Sequence, residues 1–347
     1  MNLAKQLLHT GNGSLSLLQG FIRRLRHALK TSVFALLICY WSSGASRAEP
    51  LRISVSLTPL SLPFYVANSQ GFFAAEGVTL RINDVIGGHR TMQQLLEGSA
   101  DLATSSEAVV MFNSFQSTDF AIIASFVTSD DDVKIITRAD TGISELRHLT
   151  GKLVGTVTGA ASQYYLETVL LMNGVDPKSV RLRNLQPEAM AEALKKKEVD
   201  AIAIWEPFPF KALKTVPGAR LLPNSTVYRL SFNLCVNRKL LGARDDELVR
   251  ILRALDRAEQ FIATHPQEAK AILLDRLKLD TLFIDWIWPR YTYRLSLDQS
   301  LLKTLEGEAR WARQENLVKG EKSPNYLTFI YPGPLSKVRA SAVTIIR

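Results

Sequence analysis

Cysteine is almost absent from this chain. Its 347 residues hold two, Cys39 and Cys235. So few exclude a disulfide framework and a cysteine-rich metal site. Histidine is scarce too. Of the five, His9 and His27 lie near the start, and His89, His148 and His265 show no metal-ligand spacing. There is no phosphate loop, dinucleotide fingerprint, nucleophile elbow or zinc motif. Gly155-Thr-Val-Thr-Gly159 has only two of the glycines a dinucleotide site needs. An enzyme is therefore not expected, and neither is a cofactor. The apolar run from Ser32 to Trp41 is short of the roughly 20 residues that span a membrane.

Negative charge is missing from one end. Residues 1–48 contain Lys5, Arg23, Arg24, Arg26, Lys30 and Arg47 but no Asp or Glu. These are six of the 42 basic residues, leaving 36 against 33 acidic ones, so most of the formal +9 belongs to this stretch. Nucleic acid is not expected as a partner. The basic segment Arg23 to Lys30, the apolar run and the small residues Ser43-Gly44-Ala45 and Ser46-Arg47-Ala48 have the form of a signal peptide over 1–48. Export to the periplasm is expected, with a retained membrane anchor as the alternative. The remaining Cys235, between Leu234 and Val236, reads as a buried strand thiol.

What is present is an α/β pattern. The chain is 46% hydrophobic and long enough for two domains. Leu51–Leu57, Val78–Val85 and Asp101–Ala103 read as strands, with helices at 64–70, 91–97 and after Thr104. A parallel sheet covered on both faces is expected from this order. Phe120–Val127 and Val133–Thr137 follow one another with no crossover helix, which suggests passage from one lobe to another. Gly151–Leu166 reads as a strand, a small-residue turn and a helix, stopped at Asn173-Gly174. A helix start so bare of side chains, with exposed N–H groups and the positive dipole end, suits an anion. Val180–Leu185 and Val199–Ile204 complete a second β-α-β-α-β run, and Tyr228–Val236 is the strand returning to the first lobe. The Lys195–Lys197 run reads as a wet helix face. Leu95–Ala103 and Leu194–Ala203 share one shape: a helix end, a turn, then Asp and an apolar strand. The chain turns helical after Asp246, and Trp286, Trp288 and Trp311 read as packing. From Glu321 onward a loosely held tail is expected.

Polar clusters leave three strand ends, at Thr58–Ser61, Thr104–Glu107 and Gly159–Ser162. Ligands of open α/β sheets sit outside such ends. The acids Asp130, Asp131, Asp132 and Glu206 stand nearby. The Asp run reads as a solvated loop; any acid facing the cleft favours a ligand with a cationic end.

At these residues the chain resembles a known family. Pro63-Phe-Tyr-Val-Ala67, Gly71-Phe-Phe-Ala-Ala-Glu-Gly77, Leu149-Thr-Gly-Lys-Leu-Val-Gly155, Ala161-Ser-Gln-Tyr-Tyr-Leu166, Val199-Asp-Ala201 and Trp205-Glu-Pro-Phe208 are similar to periplasmic substrate-binding proteins of the nitrate/sulfonate/taurine type. These serve ABC importers and are related to binders of a thiamine-pyrimidine precursor. The resemblance implies two doubly wound α/β lobes joined by a hinge, of type II periplasmic-binding-protein kind, with a helical C-terminal region. Lobe 1 is expected over 49–128 and 233–347, lobe 2 over 129–232. Implied ligand contacts are Ser61, Ser105, Ser106, Ser162 and Trp205; Gly88, Glu107, Thr128, Ala160 and Glu206 complete the candidate set. The expected function is capture of a small anionic or zwitterionic solute by a monomer that delivers it to an inner-membrane ABC permease. The alternatives are a binder or enzyme for a pyrimidine or amine, and a membrane-anchored sensor.

Overall fold

The computed structural model describes residues 49–223, 228–320 and 322–346. The expected signal peptide at 1–48 lies outside them. β1 (Leu51–Ser56), β2 (Leu80–Val85), β3 (Leu102–Ser106) and β4 (Phe120–Ser129) belong to one sheet. β5 (Val133–Arg138), β6 (Leu153–Thr156), β7 (Arg181–Asn184), β8 (Ala201–Trp205) and β9 (Ala219–Leu221) build a second. The chain then returns, and β10 (Leu230–Asn237) and β11 (Tyr291–Ser296) complete the first, in the order β11-β4-β10-β3-β1-β2. The second sheet runs β7-β6-β8-β5-β9.

Helices α1 (Leu62–Ser69), α2 (Phe72–Ala75), α3 (Gly88–Leu96) and α4 (Glu107–Ser114) follow strands of the first sheet. Those of the second are α5 (Ala161–Met172), α6 (Met190–Lys195) and α7 (Phe208–Thr215). α8 (Asp245–Thr264), α9 (Pro266–Leu277), α10 (Thr281–Ile287), α11 (Gln299–Gln314) and α12 (Gly333–Val338) form the helical C-terminal region.

The central strands are apolar on both faces because helices cover both. β5 and β8 are buried at every residue. β7, at the sheet edge, is exposed throughout and carries Arg181 and Arg183, which suit an unpaired edge. α8 buries Leu248, Ile251, Leu252, Leu255, Ala258 and Ile262 along one face. Its first turn holds Asp245, Asp246 and Glu247, favourably placed at the positive end of the helix.

The two stretches of like shape do one job in both sheets. Asp101 accepts the Arg52 N–H through Oδ2 at 2.9 Å, and its own N–H reaches Arg52 O at 2.8 Å. Asp200 accepts the Leu153 N–H through Oδ2 at 2.8 Å, and its N–H reaches Leu153 O at 2.8 Å. Each aspartate thus clips the strand it precedes, β3 or β8, to that strand's parallel neighbour, β1 or β6, where backbone pairing alone would leave a donor unmet.

Three expectations need correction. The sheets are mixed, not parallel: β10 runs antiparallel to β3 and β4, and β5 antiparallel to β8 and β9. β11 was not anticipated within the helical region. It pairs antiparallel with β4 through an irregular register, so Tyr293 and Ser296 oppose Val127 and Ser125. The segment after Glu321 is not loose. Tyr326, Phe329, Ile330 and Leu335 are buried, and Ile122 of β4 donates to Phe329 O at 2.7 Å and accepts from Tyr331 N at 2.9 Å. It packs through short turns and the six-residue helix α12, too brief to leave a period to detect. Cys235 is a buried thiol on β10, pushed up to about 12 by burial.

Candidate ligand cleft

Three helix starts meet one cleft. The first sheet supplies Gly88, the first residue of α3, and Ser106, the N-cap of α4. The second supplies Ala160 and Ala161 at the start of α5. Ser56, at the end of β1, Thr58, just beyond it, and Trp205, at the end of β8, close the sides, with Leu60, Val109, Leu230 and Phe232. All lie at or beyond strand ends on the side where ligands of α/β sheets sit. Ala160 and Gly87 offer no capping side chain, so these two helix starts present backbone rather than hydroxyl, whereas Ser106 Oγ caps α4 by accepting from Val109 N at 3.4 Å. The cleft measures about 330 Å³ out to its mouth. A roomier groove, about 940 Å³, lies beside Tyr65, Asn68 and Arg276. It collects no helix start, so the inner cleft is the better chemical candidate.

Gly88 has a packing reason. A Cβ there would stand 3.2 Å from Ser105 Cα and 3.3 Å from the Phe232 ring. The absent side chain lets α3 begin against β3, where Ser105 Oγ donates to Gly88 O at 3.0 Å. Gly87 just before it has φ +90°, a conformation that glycine adopts without strain.

The electrostatics are unusual for an anion site. His89 lines the cleft 5.9 Å from the Trp205 ring centroid. Burial and then the Arg90 charge bring it down to about 4, so it is neutral at pH 7. Arg90 is paired with Glu188 at 2.6 Å and Gln186 at 2.5 Å, linking α3 to the turn before α6. The buried Lys134 is 3.3 Å from Glu206 Oε1 and lies 5.3 Å from the Trp286 ring. Asp132 lines the cleft, buried, with Tyr291 Oη donating to its Oδ1 at 2.5 Å. Burial pushes its carboxyl up to about 7, against the opposing pull of Tyr291 and Lys134. Among the described cleft residues no side chain carries a positive charge.

Of the ten candidate residues, Gly88, Ser106, Ala160 and Trp205 line this cleft. The other six stand elsewhere. Ser61 is buried in the turn Pro59–Ser61. Ser105 faces Gly88. Ser162 Oγ accepts from Thr156 Oγ1 at 2.9 Å and from Val157 N at 3.2 Å, tying the end of β6 to α5. Glu107 accepts from Tyr228 Oη and from Ser231 N at 2.8 Å. Burial pushes it up to about 7. Thr128 lies within β4 opposite Ser231 and Thr292. Glu206 accepts from Trp286 Nε1 at 2.6 Å and Phe210 N at 3.3 Å, and burial raises its carboxyl. Trp286 thus has a polar partner beyond packing.

Sequence reasoning missed His89 and Lys134. A lysine inside the apolar strand Val133–Thr137 was a usable signal, because a buried lysine needs a partner. Asp132 departs from the solvated loop expected for the Asp run: Asp130 is exposed and Asp131 half-buried, but Asp132 is 1% exposed.

A family described as NMT1/THI5 like matches residues 58–269, more than half of the chain. The chain belongs to this NMT1/THI5-like family. As an NMT1/THI5-like protein it is 27% identical over 262 residues to a Bacillus subtilis (strain 168) chain named as an aliphatic sulfonates-binding protein, covering 72% of this chain and 77% of that one. Its fold is similar to that of the alkanesulfonate-binding protein SsuA from Xanthomonas axonopodis pv. citri bound to MOPS. The TM-score is 0.74 at 17% identity, covering 83% of this chain and all (100%) of that one. It is also similar to the periplasmic nitrate-binding protein NrtA from Synechocystis PCC 6803, with TM-score 0.65 at 14% identity, 85% of this chain and 89% of that one. The NMT1/THI5-like chain has the periplasmic-binding-protein fold that its sequence motifs implied, with its helical C-terminal region. Family and likeness together support a solute-binding role.

Proposed function

We propose that this protein is the solute-binding component of an ABC importer and captures a small organic anion or zwitterion, of sulfonate type, in the cleft between its two sheets. The observation that carries the reading is the convergence of three helix starts, at Gly88, Ser106 and Ala160, on one cleft. Backbone N–H groups and aligned dipoles there solvate an anion without a full counter-charge. Residues 49–128 and 233–347 form one lobe and 129–232 the other. They hinge where the chain crosses between the sheets, at the end of β4 and in the first residues of β10. The ligand enters as the lobes part, and the closed state is favoured by the contacts made on both sides. The protein works in the periplasm as a monomer, after removal of residues 1–48, and delivers its ligand to an inner-membrane permease.

A thermal-shift panel tests this. Ethanesulfonate, 2-aminoethanesulfonate, nitrate, an aromatic carboxylate and an aminopyrimidine serve as ligands. A ligand at a hundred times its Kd stabilises the fold by about 2.7 kcal/mol. A shift with at least one sulfonate, reduced in Trp205→Ala, supports the reading. No shift with any anion overturns it. N-terminal sequencing of the exported protein checks the leader, with a start near Glu49 expected.

A further inference from the structure

Asp132 is 1% exposed and lines the cleft. Tyr291 Oη satisfies its Oδ1, but Oδ2 has no hydrogen-bond partner among the described residues. A buried carboxylate oxygen without a donor is a costly arrangement, and one that invites explanation. The surrounding charges do not supply the donor. Lys134 Nζ turns to Glu206 Oε1 at 3.3 Å and Asp131 Oδ1 at 3.5 Å, and also donates to Asp131 O. Asp131 is shared at the surface with Arg290, at 3.5 Å. Glu206 holds Lys134, the Trp286 N–H and the Phe210 N–H. Two fully buried carboxyls, Asp132 and Glu206, therefore stand beside one buried ammonium, and that ammonium is engaged with Glu206. His89 on the same cleft is neutral and adds no positive charge.

We infer that Asp132 is a specificity-determining residue: its Oδ2 receives a protonated, N–H-bearing nitrogen at one end of the ligand, so that the cleft selects a zwitterion over a simple anion. The inference rests on the proposed function, which places the anionic end at the helix starts of α3, α4 and α5. The two ends of the ligand then meet opposite kinds of wall. The N–H donors lie at the helix starts, and Asp132 Oδ2, an acceptor left without a donor among the described residues, lies on the strand-β4-to-β5 crossing; the other buried, unpartnered side-chain atom of the cleft lining is Nδ1 of the neutral His89. The Trp205 ring, in the same cleft, offers a face that tolerates a cation.

Calorimetric titration with a matched pair tests this. The pair is 2-aminoethanesulfonate and ethanesulfonate, which differ only in the ammonium group. The parent protein is expected to bind the amino compound about ten- to a hundredfold more tightly, the scale of one charge-assisted hydrogen bond. Asp132→Asn is expected to bring the two within about threefold by weakening the amino compound alone. Asp131→Asn makes the same charge change at a half-exposed position and is expected to keep the preference, with circular dichroism checking the fold of both variants. Equal or tighter binding of ethanesulfonate by the parent overturns the inference and leaves the proposed function standing. Binding of neither sulfonate overturns the sulfonate reading and the inference with it. An amino preference that survives in Asp132→Asn overturns the assignment to Asp132.

Discussion

Asp132→Asn also has a stability signature that needs no ligand. The folded carboxyl is pushed up from 3.8 to about 7, chiefly by burial. An acid raised in this way binds its proton in the folded chain while the unfolded chain has already released it. Its contribution is therefore fully present below about pH 4 and is lost as pH rises to about 7. The two values differ by about 3 pH units, and at roughly 1.4 kcal/mol per unit the loss is about 4 kcal/mol. Asparagine does not titrate and escapes this loss. It brings a cost of its own, because Nδ2 would take the place of the unpartnered Oδ2 as a buried donor, at about 1–3 kcal/mol. Tyr291 Oη still donates to the amide oxygen. The variant is therefore expected to be less stable than the parent near pH 4.5 and more stable, by about 1–3 kcal/mol, at pH 8. Urea unfolding followed by circular dichroism, at several pH values and fixed ionic strength, measures the difference. Glu107, Glu206 and His89 titrate in both proteins and largely cancel. A difference that does not change between pH 4.5 and 8 refutes the reasoning, because it means that the carboxylate is already compensated in the folded chain.

Other consequences follow from single contacts. Gly88→Ala places a methyl 3.2 Å from Ser105 Cα, and overpacking there is expected to cost about 1–3 kcal/mol and lower the melting temperature; an unchanged melting temperature counts against the close approach. Asp200→Ala removes the acceptor for the Leu153 N–H and is expected to cost about 1–3 kcal/mol in urea unfolding, with Asp200→Asn retaining part of it. Arg90→Ala breaks a pair whose side chains are 31% and 41% exposed, so stability is expected to move by less than about 1 kcal/mol; a larger loss shows the link from α3 to the turn before α6 to be a main tie. In a Cys39→Ser background, Cys235 is expected to resist a thiol reagent until the protein unfolds, since the thiol is buried and its proton tightly held.

Much of the architecture was legible because periodicity and punctuation survive in the sequence. The strand at Leu153, the bare turn and the helix to Met172 stand where Gly151–Leu166 suggested. The matched Asp101 and Asp200 stretches were visible as a shape before their shared hydrogen bonds gave the reason. Strand direction was not legible, because nothing local distinguishes β10 as antiparallel; its neighbours β3 and β4 lie far off in sequence. β11 was hidden for a related cause. Its burial alternates irregularly, and its partner β4 is remote. Within the site, the helix starts were readable from small residues, but the direction of each hydroxyl was not. Ser162 turns to Thr156 and Val157, and Ser105 to Gly88. Asp132 was masked by its company: three aspartates in a row look wet, and only the fold turns one of them inward.

The place of β10 has a kinetic consequence. It lies between β3 and β4, yet Asn233, which pairs with Ser105, follows it by 128 positions. The second sheet, β5 to β9, is built entirely from the intervening chain. Closing so long a loop is slow when its contents are unstructured, because chain entropy is lost before contacts reward it. If the second sheet forms first, it shortens the effective loop and carries β10 back to its slot. Until then β3 and β4 each present an unpaired apolar edge, which is the form of the chain most exposed to aggregation. The larger sheet, although it begins first in sequence, is thus the one that must finish last.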